Sequence, residues 1–158
     1  RVSGGSVSIL PTLNDAINTM QAQADLRKIK IHVEVSGSIP NLRGAEEAFA
    51  RIFNNLISNA VKFSKPKSEI FVRAYRKDNE IFIEVQDCGV GIPPEDLPHI
   101  TSRFFRGTNA TEQEIPGSGI GLYIIKNIVE ELGGKLTIQS ELDQGTTVAV
   151  HFPVVKEE

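Results

Sequence analysis

Two pairs of alternating runs constrain this chain more than any other feature in it. Residues 69–76 and 80–87 alternate apolar and polar side chains, and so do 135–140 and 146–152. Alternation at period two sends successive side chains to opposite faces of a strand. The first pair is joined by Lys77-Asp78-Asn79, the second by a turn around Asp143-Gln144-Gly145. Connections this short return the chain beside itself, so both pairs predict antiparallel hairpins. A fifth run, 29–35, sets Ile29, Ile31, Val33 and Val35 against Lys30, His32 and Glu34, and predicts a half-buried strand. A short strand is also expected over 7–10.

Other segments carry the helical period. Leu13, Ile17, Met20 and Ala24 mark a first helix, with a start expected at Pro11-Thr12 and Asp15 completing a capping box. A second covers about 45–63, with Glu46 and Glu47 in its first turn, where the dipole favours acids. A third covers about 118–132 and stops at Gly133. Residues 36–44 read as a loop, and a short helix is expected after Pro94. The inventory predicts an α+β two-layer sandwich, with a mixed, mainly antiparallel sheet of about five strands covered on one face by three helices.

The chain's 158 residues suffice for one such domain. A net charge of -3 argues against a nucleic-acid partner. No apolar run approaches the roughly 20 residues of a spanning helix, so no direct membrane contact is expected. Cys88 stands alone and three histidines are scattered, which leaves no cysteine or histidine metal site to build.

Four features could carry chemistry. With Asn55 at 0° and about 100° per residue, Asn59 falls near 40° and Lys62 near -20°, away from the core stripe of Phe49, Phe53, Leu56 and Ala60. Two amides and a cation thus share a face, either as a solvated surface or as ligands for Mg²⁺ and phosphate. Asp87 ends the apolar stripe of Ile81, Ile83 and Val85 and requires a donor, such as a purine amine, unless it merely opens the turn that Gly89 and Gly91 shape. Gly117-Ser118-Gly119-Ile120-Gly121 opens the third helix, as a hinge or as bare amides for an anion. Arg103-Phe104-Phe105-Arg106 leads into a polar stretch that reads as a lid or a solvated loop.

In their order, these motifs resemble those of sensor histidine kinases. Asn55-Leu56-Ile57-Ser58-Asn59-Ala60-Val61-Lys62-Phe63-Ser64 is similar to the N box, Asp87 to Pro93 to the G1 box, Arg103 to Arg106 to the F box, and Gly117 to Leu122 to the G2 box. Gly145-Thr146-Thr147 resembles the late glycine-threonine element. The wider superfamily includes Hsp90, gyrase B and MutL.

The resemblance implies a Bergerat fold that binds ATP or ADP with Mg²⁺. It implies Asn59 as the metal ligand, with Asn55 and Lys62 at the phosphates and Phe63 beside the nucleotide. Asp87 would accept from the adenine amine, with Gly89, Gly91, Ile92 and Thr146 forming that pocket. Phe105, Arg106, Gly117, Ser118, Gly119, Ile120, Gly121 and Leu122 would attend the triphosphate. Asn55, Lys62 and Arg106 would serve the transfer of the γ-phosphoryl to a histidine on a separate dimerisation domain, and a response-regulator receiver domain would follow. On this reading residues 1–10 are the run-out of the upstream helical domain and 11–158 the ATP-binding domain, cytoplasmic and monomeric in isolation.

Two positions depart from the pattern: Thr101 replaces the usual Phe, and Ser102 replaces a common acid. None of His32, His99 and His151 has the acidic neighbour of a phosphoacceptor motif. A nucleotide-dependent regulatory module and an autonomous ATPase are the alternatives. The second lacks its water-activating Glu, because Arg51 stands four residues before Asn55.

Overall fold

The computed structural model describes residues 5–92, 94–96 and 121–154. Their elements run β1 (Gly5–Val7), α1 (Ile9–Leu26), β2 (Lys30–Ser36), β3 (Leu42–Gly44), α2 (Glu46–Phe63), β4 (Glu69–Lys77), β5 (Glu80–Gln86), α3 (Gly121–Glu131), β6 (Lys135–Glu141) and β7 (Gly145–Pro153). Both expected hairpins form. Lys77 pairs with Glu80, leaving Asp78 and Asn79 as the turn. Asp78 takes a φ of 56°, and the primed turns that suit two-residue hairpins need a positive φ at this first central position. The main sheet has the order β2-β4-β5-β7-β6, parallel only between β2 and β4.

One face of the sheet meets the helices. Ile70, Val72, Ile81, Ile83, Val150 and Phe152 are at most 1% exposed and pack with Phe49, Phe53, Leu56 and Ala60 of α2 in a single apolar cluster. Phe49 sets its edge against Phe152 with ring centroids 5.2 Å apart. The stripe expected on the second helix is therefore the stripe that is buried. On the other face Phe71, Arg73, Tyr75, Phe82, Glu84 and His151 remain half-buried. The sheet is thus layered on one side, as the α+β reading requires.

Three local expectations are corrected. The first helix begins at Ile9, not at Thr12, and no side chain caps it. Pro11 lies within its first turn, where the missing N–H costs no helical bond, and Thr12 turns inward to become buried. The stretch 36–44 is not all loop, because Leu42–Gly44 pairs antiparallel with Gly5–Val7 as a two-stranded ribbon. Finally, β2 is less buried than its alternation implied. Val33 and Val35 are 45% and 43% exposed, because β2 lies at the sheet edge with, among the described residues, a strand neighbour on one side only.

The ends of two helices are tied together by Arg27, the residue after α1. Its guanidinium donates to the carbonyl oxygens of Val61, of Lys62 at 3.2 Å and of Ser64 at 2.5 Å. These include carbonyls of the last turn of α2, which have no partner within the helix and carry its negative dipole end. Replacing Arg27 by Met is expected to lower the unfolding free energy by about 1.5–3 kcal/mol, the range for hydrogen bonds to a charged group. Urea denaturation followed by circular dichroism tests this, and an unchanged midpoint would show that the clamp contributes nothing.

Candidate functional site

The site is assembled where the last turn of α2 meets the strand ends of β5 and β7. The apolar pleat of β5 carries on to Asp87, which is 9% exposed. Two backbone amides answer its charge on one oxygen: Gly89 N–H donates to Oδ1 at 2.9 Å and Thr146 N–H at 3.1 Å. Both bonds favour the charged form, but burial outweighs them and pushes the carboxyl up to about 6. Because Oδ1 takes both amides, Oδ2 is the oxygen suited to a ligand donor.

The glycines around Asp87 have a different first duty from the one expected. A Cβ on Gly89 would lie 2.1 Å from the Phe63 carbonyl oxygen, and one on Gly91 would lie 2.0 Å from that of Glu141. Gly91 also has a φ of +72°. The missing side chains therefore let protein backbone meet protein backbone, which draws the loop onto α2 and onto the β6–β7 turn. A Ser64–Gly89 bridge completes the first of these contacts.

A hydroxyl that the sequence reading passed over holds the other side. Ser140 Oγ accepts from Ile92 N–H at 2.8 Å, donates to Gly145 O at 2.9 Å and lies 2.8 Å from Thr146 Oγ1. Those three contacts saturate a hydroxyl. Its signal was present in the sequence: Leu136, Ile138 and Ser140 share one face of β6, so a polar residue ends an apolar stripe, just as Asp87 does.

The amide face of α2 also forms. Asn59 Nδ2 donates to Asn55 Oδ1 at 3.1 Å, with both residues half-buried and Lys62 exposed one turn on. The bond uses the nitrogen of Asn59 and leaves its carbonyl oxygen available as a hard-oxygen ligand. At 1.5 Å rise per residue, Asn59 and Asn55 stand about 6 and 12 Å along the axis from Phe63, and so from the Asp87 loop. Asn55 also lines a groove of about 680 Å³ with Asn54, Ser58, Met20 and Ile124, which leaves Asp87 outside it.

Asn55, Asn59, Lys62, Phe63, Asp87, Gly89, Gly91, Ile92 and Thr146 are thus gathered along α2 and its contact with the strand ends. Leu122 packs against the core from the first turn of α3, which Gly121 opens. Phe105, Arg106, Gly117, Ser118, Gly119 and Ile120, with Thr101, Ser102, His99 and the short helix expected after Pro94, lie largely or wholly outside the described residues.

Comparison with known proteins decides the family. The profile of the histidine kinase-, DNA gyrase B-, and HSP90-like ATPases matches residues 44–156. The chain belongs to this family. It is 31% identical over 150 residues to the circadian input-output histidine kinase CikA of Synechococcus elongatus, covering 94% of this chain and 20% of that protein. It is 32% identical over 135 residues to the phosphate regulon sensor protein PhoR of Pseudomonas aeruginosa, covering 85% of this chain and 30% of that one. The chain therefore spans about a fifth to a third of these relatives. The mycobacterial sensor histidine kinase MprB superposes with a TM-score of 0.81 at 27% identity, over 95% of this chain and 97% of that one. Full-length ShkA, solved in complex with AMPPNP, gives 0.85 at 25% identity, over 99% of this chain and 32% of that one. This is the ATPase-type domain of sensor histidine kinases, with the α+β sandwich expected of it.

The raised carboxyl gives a pH signature. Asp87 binds its proton more tightly when folded (about 6) than its ordinary value of 3.8, so the folded state holds more protons between those values. Stability is then expected to fall as pH rises from about 4 to about 6, by up to roughly 3 kcal/mol from this group, and to level off above. Asp87→Asn should remove that component, since an amide can keep both bonds without a charge. Thermal melts across pH 4–8 check it; the same slope in wild type and variant would refute the burial argument.

Proposed function

We propose that this domain binds Mg-ATP and presents its γ-phosphoryl to a histidine on a separate dimerisation domain of a sensor kinase. The observation that carries the reading is the buried Asp87, with one oxygen held by two backbone amides and the other suited to a donor. A purine amine meets that requirement, and a buried carboxylate without a donor would be costly. The amide pair of α2 lies further along the same helix, in the direction in which a triphosphate would extend.

The residues fit the metal that such a substrate brings. Among the described residues, no three His, Cys, Asp or Glu side chains come together to hold a cation by themselves. The neutral oxygen of Asn59 suits an ion that keeps phosphates and water as its other ligands. Bound there, Mg²⁺ would neutralise charge on the phosphates. Asn55 and Lys62 would position phosphate oxygens, Phe63, Ile92 and Thr146 would close the base end, and Gly89 and Gly91 would hold the loop to its shape. By resemblance, Phe105, Arg106 and the amides from Gly117 to Gly121, followed by Leu122, would serve the phosphate end.

On this reading residues 11–158 are the ATP-binding domain and 1–10 lead in from the helical domain, while a receiver domain takes the phosphoryl onward. Use of ATP places the domain in the cytoplasm. Among the described residues no helix is long and apolar enough to cross a membrane.

Incubation with γ-labelled ATP is the test. The chain alone is expected to bind nucleotide without labelling itself, and to pass acid-labile phosphate to an added histidine-bearing dimerisation domain. Asn59→Asp should change affinity strongly with Mg²⁺ and much less in EDTA. Binding that is indifferent to both Asn59 and Asp87 would sink the assignment, and acid-labile label on the isolated chain would contradict the reading of its histidines.

A further inference from the structure

Where α1 and α2 end, two turns lie side by side. Lys67 N–H donates to Arg27 O at 3.0 Å, and Lys30 N–H donates to Ser68 O at 3.1 Å. These bonds gather Lys28, Lys30, Lys65 and Lys67, all exposed, around Arg27. Leu26, 84% exposed, stands beside them. None of the four lysines belongs to an ion pair among the described residues. Lys65 Nζ only reaches the Asp143 carbonyl, at 3.5 Å. Two neighbouring acids are already engaged: Asp25 accepts from Gln21 at 2.8 Å, and Glu69 pairs with His32 at 2.7 Å.

The backbone adds a second observation. Lys28 and Lys67 have φ values of 59° and 63°, a region that favours glycine or asparagine. Both turns therefore carry a long cationic side chain where a smaller residue would be less strained.

The chemistry of the patch selects its partner. Its arginine is committed to the end of α2, so what it offers is lysine: compact, strongly hydrated point charges without a fork for bidentate recognition. Protein interfaces are depleted of lysine and enriched in arginine and aromatics. Nucleic acid accepts lysines, but the protruding Leu26, 84% exposed, would gain nothing there. A diffuse anionic surface uses lysines in any orientation, and its headgroup layer accepts an exposed leucine. We propose that the paired turns of Leu26–Lys30 and Lys65–Lys67 dock this domain against an anionic lipid bilayer. The contact is peripheral and electrostatic. It revises the expectation of no direct membrane contact, which rested on the absence of a spanning run.

Co-sedimentation tests the proposal, using vesicles of phosphatidylcholine doped with phosphatidylserine beside vesicles of phosphatidylcholine alone. Binding is expected to the doped vesicles only, and to disappear at about 1 M salt, where screening acts within roughly 3 Å. Each lysine removed should weaken it about fivefold, so Lys28→Gly with Lys67→Gly should weaken it about 25-fold. Glycine suits both φ values, so this double variant should melt no lower than wild type and bind nucleotide as before, which separates lost docking from lost fold. Leu26→Ser should weaken docking while retaining its salt dependence. Equal binding to undoped vesicles, indifference to the double variant, or capture by duplex DNA or polyglutamate in place of doped vesicles would overturn the assignment.

Discussion

A carboxylate buried at a strand end governs the arrangement around it. Asp87 cannot hold its charge beneath the α2 contact without donors, and the donors it finds are backbone amides of its own loop and of β7. Both can reach Oδ1 only if the loop turns back at once and β7 lies in register beside β5. The Asp87 amide returns a bond to Thr146 O at 2.8 Å, so strand and loop are fastened at one point. Glycine at 89, 91 and 145 follows from this closure: each added Cβ would fall within about 2.2 Å of a neighbouring carbonyl oxygen.

From that point the structure can be followed outward. The loop is pressed against the last turn of α2, and Arg27 holds the same turn from the opposite chain segment. α2 is fixed along its length by Phe49, Phe53 and Leu56 in the core. Its amide face therefore has a defined position relative to Asp87, without any direct bond between them. A rigid helix with one end clamped converts local chemistry into a spacing, which is what an extended ligand with a base at one end and phosphates at the other can use.

Much of this was legible in the sequence. Period-two runs with short turns gave the two hairpins, and the helical stripe on 49–60 gave the buried face of α2 and, by subtraction, the face bearing Asn55 and Asn59. Asp87 was visible as a polar residue at the end of an apolar pleat. The misreadings share a cause, which is that local patterns do not report neighbours. Val33 and Val35 alternate as a half-buried strand would, yet an edge position leaves them exposed. Pro11-Thr12 resembles a helix start, yet the packing of Ile9 against the core carries the helix further back. Leu42–Gly44 has too few residues to show a period at all.

The sequence by itself determined most of the element types, the α+β class and the candidate positions Asn55, Asn59 and Asp87, because hydrophobic periodicity and the limits of short turns act within a few residues. Only the tertiary structure decided what those residues face. It set Gly89 and Gly91 against protein backbone at the turn they shape, and gave Ser140 a three-way role. It also collected lysines from positions 28 to 67 onto one surface. These outcomes depend on distances between segments far apart in the chain, and such distances exist only once the core has closed.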